Sequence, residues 1–254
     1  MSDKTIKVDM LARVEGEGAF KVKVKDGKVV GTEFRIFEPP RFFEAFLQGR
    51  DNSEVPDITA RICGICPVAY QMSSVQAMEM ALGITVTQPI KDLRRLLYCG
   101  EWIESHVLLR ALDMAGAFVD FTATLPFPDK ERDYTMVCIE EPNGLYPIYE
   151  GTRVISNRGL NIPVAEYNDH FEESHVARSK ALQSNTKESG DAYLTGPLPR
   201  YNLAYDKLSD RAKTAAKRAG LGKTCLNPYR SITVRAVESL YAVEEAIRLI
   251  DAYE

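Results

Sequence analysis

The sequence predicts an α+β protein with a predominantly helical core, an N-terminal β element and a small β-containing lobe in the middle. Three observations predict it. Residues 4–38 alternate apolar and charged side chains with a period of two, as half-buried strands do. Three longer stretches, at 67–83, from about 90 to at least Leu112, and over the last twenty or so residues, repeat apolar residues at helical spacing. Between them, residues 119–165 are richer in proline, glycine and short strand-like runs. The organisation that follows is one domain over 1–254. It comprises a β element with a first helix (1–50), helices around a cysteine pair (51–118), the small β lobe (119–165) and C-terminal helices (166–254).

In "AFKVKVKDGKVVGTEFRIF", Phe20, Val22 and Val24 share one face and lysines the other. Asp26-Gly27 supplies the turn, and a second strand returns through Val29. Pro39-Pro40 closes the strand region. "RFFEAFLQGR" reads as a short helix ending near Gly49, and the polar turn "DNSEVPD" leads towards the cysteines. Pro67 fits a first helical position, and "VAYQMSSVQAMEMAL" keeps helical spacing as far as Gly83, with Met72, Met78 and Met80 read as core filling. A longer amphipathic helix runs from about Ile90 to at least Leu112. "DYTMVCIE" and "TRVISN" are the strand-like runs of the small lobe. Helix returns over 166–188 and in "DKLSDRAKTAAKRAG", whose basic residues read as a solvated face. The last helix, "VRAVESLYAVEEAIRLIDAY", sets Val237, Leu240, Tyr241, Ala246, Leu249 and Ile250 broadly on one stripe.

At 254 residues, 45% hydrophobic and 27% charged, the chain has the balance of a soluble globular protein with one sizeable core. A net charge of −4 gives no basis for a nucleic-acid or membrane-surface partner. The start, "MSDKTIKVDMLARVEGEG", lacks the apolar run of a secretory leader. The most apolar segment, Leu93 to Val119, is broken by Arg94, Arg95, Glu101, Glu104, Arg110 and Asp113, so no transmembrane segment is expected. Five cysteines, an odd number with one close pair, do not make a secreted disulfide framework; the expected setting is the reducing cytoplasm.

The close pair lies in "TARICGICPVAY". Two cysteines at this spacing hold a metal, run a dithiol–disulfide cycle, or line a core. The first two uses need thiolates, and the helix expected to start after Cys66 favours them through its unpaired amides. A thioredoxin-like site wants a strand before the pair, and "DITARI" is no clear strand. A structural zinc site wants four nitrogen or sulfur ligands, whereas Cys99, Cys138 and Cys225 stand alone and His170 and His175 are five apart.

"LARVEGEG", "RFFEAFLQGR" and "RICGICPVAYQM" occur in that order, and with them the chain resembles the large subunit of nickel–iron hydrogenases. The resemblance is to the cytoplasmic multimeric type related to nicotinamide-linked or sulfur-reducing enzymes. It is strongest over residues 9–106, resumes over "RGLNIPVAEYNDHFEESHVARS", and returns from "NPYRSITVRAVE". Tyr70, where many membrane-bound relatives carry histidine, agrees with that type. The resemblance implies a hydrogenase large-subunit fold and the reaction H2 ⇌ 2H+ + 2e−. It implies that Cys63 binds nickel terminally and Cys66 bridges nickel and iron, soft thiolates suiting nickel. The iron would carry carbon monoxide and cyanide. Glu15 would relay protons, Glu44 would help hold a structural magnesium through a hard oxygen, and Arg61 would support the site by hydrogen bonding. Implied partners are H2 and an iron–sulfur small subunit, since this chain has too few cysteines for a cluster relay, with further electron-transfer subunits of diaphorase or sulfur-reductase type.

The sequence also departs from the family pattern. Relatives carry a second C-x-x-C followed by histidine near the C-terminus, and this sequence ends "LIDAYE" without it; Cys225 is single. The stretch between His106 and about Phe118 is short as well. The expectation is therefore an incomplete nickel site: either the chain is a truncated or shortened variant, or the missing thiolates are donated by another polypeptide, and the isolated chain is expected to be inactive. The rival expectations are a non-catalytic scaffold subunit related to the hydrogenase large subunit, and a zinc or dithiol module.

Overall fold

The computed structural model describes residues 3–12, 16–39, 41–106 and 111–253. The architecture is α+β, and the chain divides into two compact units: residues 1–42 with 168–192, and residues 43–167 with 193–254.

The first unit is built on strands β1 (Lys4–Val8), β2 (Gly18–Lys25) and β3 (Lys28–Ile36), paired antiparallel in that order. Val22 faces Ile6 on one side and Thr32 on the other, so the alternation read from the sequence sets one face of the sheet. Asp26 and Gly27 both take positive φ, 50° and 75°. That is the two-residue hairpin turn whose twist matches its strands.

The helix expected over 166–188 is not found. In its place stand α6 (Tyr167–His170), a single turn, and an antiparallel hairpin of β7 (Phe171–Ser174) and β8 (Gln183–Thr186). Long-range backbone pairing outweighs local propensity here. The Lys180 N–H donates to the Ile36 carbonyl at 2.7 Å, and the Ser179 hydroxyl oxygen accepts from the Ile36 N–H at 3.2 Å. Residues 179–180 thus satisfy the end of β3, which a helix through that stretch would leave unpaired.

The second unit contains α1 (Phe43–Leu47), α2 (Val55–Ala60), α3 (Pro67–Leu82), α4 (Gln88–His106) and α5 (Ala111–Ala123). Strands β4 (Val137–Glu140), β5 (Arg153–Ser156) and β6 (Asn161–Pro163) follow, then α7 (Pro197–Ala204), α8 (Asp210–Arg218) and α9 (Ser231–Asp251). α1 ends before Gly49, and α3 ends on Gly83 in the left-handed region, both as expected. α2 is an addition, since only a polar turn was read there; Pro56 opens its first turn. The expected helix from Ile90 to Leu112 is α4 as far as His106, with residues 107–110 outside the described set. α5 then carries helix into the stretch assigned to the β lobe, because Ala115, Val119 and Thr122 bury themselves at helical spacing. The lobe's antiparallel sheet, β4–β5–β6, begins only at Val137.

The core of this unit gathers about α9, which packs on α4, α5, α7 and α8. Val237, Leu240, Tyr241 and Leu249 are buried as the stripe required, but Ile250 is 58% exposed. α8 is capped by Ser209, whose hydroxyl accepts from the Ala212 N–H at 3.1 Å. Its Ala212, Ala215 and Ala216 are buried while Arg211, Lys217 and Arg218 are exposed, so the basic run is a solvated face.

Two buried carboxylates of α9 have dedicated partners. Glu238 accepts two bonds from Arg200 and one from the Tyr146 hydroxyl. Glu245 and Glu141 flank Arg95, which also donates to the Tyr146 carbonyl. Burial alone would discourage the Arg95 charge, and the two facing carboxylates hold it cationic.

Candidate metal centre

The cysteines sit in the connection between α2 and α3, two helices tied together by a hydrogen bond from the buried Thr59 hydroxyl to Ser74 Oγ, 3.0 Å. α2 stops at Ala60; Arg61 caps it through its backbone N–H, which bonds back to the Ile58 carbonyl at 3.1 Å. Five residues later Cys66 is the N-cap of α3, with Pro67 as the first helical residue. Cys63 and Cys66 are half-buried, their Cα atoms are 5.4 Å apart, and their sulfurs are joined as a disulfide. The Cys66 N–H also donates to Cys63 Sγ at 3.2 Å. The sulfurs thus share one point at the head of α3, the proximity that a shared metal and a dithiol–disulfide couple both require.

The head of α3 is held in a way the sequence reading missed. Cys66 offers no side-chain cap and Pro67 has no N–H, so the next amides, of Val68 and Ala69, need an outside acceptor. Glu101 of α4 supplies it: its Oε1 accepts from Val68 N at 2.9 Å and from Ala69 N at 3.3 Å. One turn back on α4, the Tyr98 hydroxyl donates to the Ala69 carbonyl at 3.3 Å. One further turn back, Arg94 forms two bonds to Glu79 near the other end of α3. Glu101 is 7% exposed; burial raises its carboxyl pKa above the usual glutamate range, against the pull of the two amides. The available signal was the spacing of Arg94, Tyr98 and Glu101, which places all three on one face of α4.

The sequence also pointed to Glu15, Glu44 and Arg61. Glu15 lies outside the described residues; after it, Gly16 has φ +93° and the Glu17 N–H donates to Glu38 at 3.1 Å. Glu44 is exposed in the first turn of α1, and Arg61 is exposed at the end of α2. Tyr70 is 36% exposed.

Among the described residues no group of three or more histidine, cysteine, aspartate or glutamate side chains could hold a metal ion. The three other cysteines are buried and thiol-like. Burial pushes Cys99 up to about 12 and Cys138 up to about 11, and it raises Cys225 too. A site of four thiolates is therefore not composed by the described residues, which offer one pair.

A family model described as nickel-dependent hydrogenase matches residues 41–137, a span that contains α1, both cysteines and Glu101. Sulfhydrogenase 2 subunit alpha of Pyrococcus furiosus is 43% identical over 124 residues, covering 48% of this chain and 30% of that protein. Sulfhydrogenase 1 subunit alpha of the same organism is 25% identical over 324 aligned residues, covering 97% of this chain and 74% of that one. Since 324 exceeds the 254 residues available here, at least 70 of those positions have no counterpart in this chain. Among solved structures, an NAD+-reducing [NiFe]-hydrogenase in its H2-reduced state superposes with a TM-score of 0.77 at 19% identity, covering 98% of this chain and 78% of that one. At that identity the likeness establishes the fold.

Proposed function

We propose that this chain, which belongs to the nickel-dependent hydrogenase large-subunit family, is the nickel–iron subunit of a multimeric hydrogenase and contributes Cys63 and Cys66 to its nickel site. The observation that carries the reading is the meeting of the two sulfurs at the head of α3, inside the span that matches the family model. Thiolates are soft donors suited to nickel, and the N-terminal end of a helix favours negative charge. In this reading Cys63 and Cys66 would hold the nickel, with Cys66 also serving an iron that would carry carbon monoxide and cyanide. Such a centre, when bound, would supply heterolytic cleavage of H2.

Glu15 relays protons, Arg61 supports the site, and Glu44 contributes to a magnesium site. The remaining thiolates come from polypeptide other than the described residues. Electrons leave through an iron–sulfur small subunit, with diaphorase or sulfur-reductase-like subunits beyond it, in the cytoplasm. No described helix is long and apolar enough to cross a membrane.

A second reading, a non-catalytic scaffold with an incomplete nickel site, is favoured by the absence of a third donor among the described residues. Anaerobic purification of the native complex separates the two. The hydrogenase reading expects nickel and iron near one per chain, with infrared bands of iron-bound carbon monoxide and cyanide. It also expects loss of nickel in Cys63→Ser and Cys66→Ser, and weak nickel binding without H2 turnover by the isolated chain. A complex without nickel and without those bands would make the chain a scaffold. Stoichiometric nickel and H2 oxidation by the isolated chain would overturn the incomplete-site part.

A further inference from the structure

We propose that Glu101 is the positioning residue of the Cys63–Cys66 pair: by capping the first turn of α3 from α4, it fixes Cys66 against Cys63 and so sets how readily the two sulfurs join. The inference concerns the cysteines as thiols and needs no metal, so its failure would leave the nickel reading untouched.

Three observations converge on it. A helix that starts on a cysteine followed by proline has no cap of its own, and here both of its first free amides turn to one carboxylate oxygen. That carboxylate is 33 residues distant in sequence from Val68, buried, and held on a helix whose next contact, Tyr98, grips the same Ala69 through its carbonyl. Tyr98 is itself stacked on Tyr149 with ring centroids 5.2 Å apart, so the α4 side of the clamp is packed in place. Cys66 is the residue immediately before this clamped turn, and its N–H reaches back to Cys63 Sγ. With the clamp intact, the two sulfurs meet without ordering the first turn of α3. With it removed, that turn frays and the effective concentration of one thiol at the other falls.

The couple to be measured is exchange with glutathione. Two glutathione thiols supply two electrons and two protons, the Cys63–Cys66 bond breaks to give two thiols, and one glutathione disulfide forms. In the full chain, Glu101→Ala is expected to shift this equilibrium about tenfold towards the dithiol, equivalent to roughly 30 mV for a two-electron couple. Glu101→Gln keeps a carbonyl oxygen for the two amides and should stay within about threefold of the parent. Failure of Cys99, Cys138 and Cys225 to be alkylated in either variant reports that the core is still folded, since all three are buried.

An unshifted equilibrium in a folded Glu101→Ala protein would overturn the proposal. A shift in Glu101→Gln as large as that in alanine would do so too, because the effect would then belong to the charge and not to the cap. Hydrogen exchange at Val68 and Ala69 in the unaltered chain tests the clamp without any variant. Protection of at least about a hundredfold is expected from a hydrogen bond to a buried acceptor, and exchange at the rate of a free peptide would remove Glu101 from the role.

Discussion

Two helices of the larger unit reverse what their compositions lead one to expect. α3 has one charged residue, Glu79, in sixteen; α9 has six charged residues in twenty-one. By composition α3 should be the buried helix, yet none of its described residues is buried, whereas twelve of α9 are. α9 lies among four other helices, which bury even Glu238 and Glu245 because Arg200, Tyr146, Arg95 and Arg248 satisfy them. α3 packs chiefly on α2 and α4, and leaves Tyr70, Met80 and Leu82 substantially exposed. Burial follows from what surrounds a helix, and apolar content alone does not decide it. The helix with the greater exposure is also the one that presents the cysteine pair.

The comparison is broken most directly at the α9 carboxylates. Arg200→Ala would leave Glu238, fully buried, with the Tyr146 hydroxyl as its one remaining side-chain donor among the described residues. Stranding a buried charge in this way costs about 3–5 kcal/mol, and urea unfolding of the variant should show a loss of that size. A loss near the surface-pair range of about 0–1 kcal/mol would mean that α9 is far more solvated than its surroundings imply. Arg200 also lies over the Trp102 ring at 4.6 Å, so part of the loss is packing on α4.

The next effect is smaller and belongs to α3. Gly83 closes the helix with φ 66° and ψ 28°, and a Cβ there would meet nothing within 4 Å. Gly83→Ala therefore has no clash to relieve and only the left-handed backbone to sustain, a cost of about 1–2 kcal/mol. An alanine variant as stable as the parent would show that the end of α3 is frayed, and that this helix is shorter than its sixteen residues.

How much of this was legible beforehand differs by region for physical reasons. The hairpin at Asp26-Gly27, the stop at Gly83 and the start at Pro67 are written locally, in backbone preferences that a few residues impose. The cysteine pair was legible as a motif, because a C-x-x-C spacing by itself brings two sulfurs within reach of each other. The helix wrongly expected over 166–188 depends on Ser179 and Lys180 finding the end of β3 more than 140 residues away, which no local pattern announces. Glu101 was hidden differently. It was counted, with Arg94 and Arg95, among the charges that break a would-be membrane span, yet each of the three has its own partner on another element. A charge that interrupts an apolar stretch is thus also a candidate for a buried contact, and its helical phase tells which neighbour to examine.

The smallest expected effect sharpens the contrast, because it pairs one chemistry in two settings. Leu240 on α9 is 1% exposed and Met80 on α3 is 66% exposed. Truncating each to alanine removes a similar flexible or branched apolar side chain from a helix, so helix propensity changes little in either case. At Leu240 the lost burial and the cavity left behind cost about 2–5 kcal/mol. At Met80 the side chain already meets water, so little transfer free energy is lost and no cavity forms; the change should stay within about 0.5 kcal/mol. The sequence reading had made Met80 core filling, and the ratio of the two losses in paired urea titrations tests that directly. If Met80→Ala were to cost as much as Leu240→Ala in the protein as isolated, α3 would be packed against something that its exposure conceals, and the two helices would no longer differ in the way described.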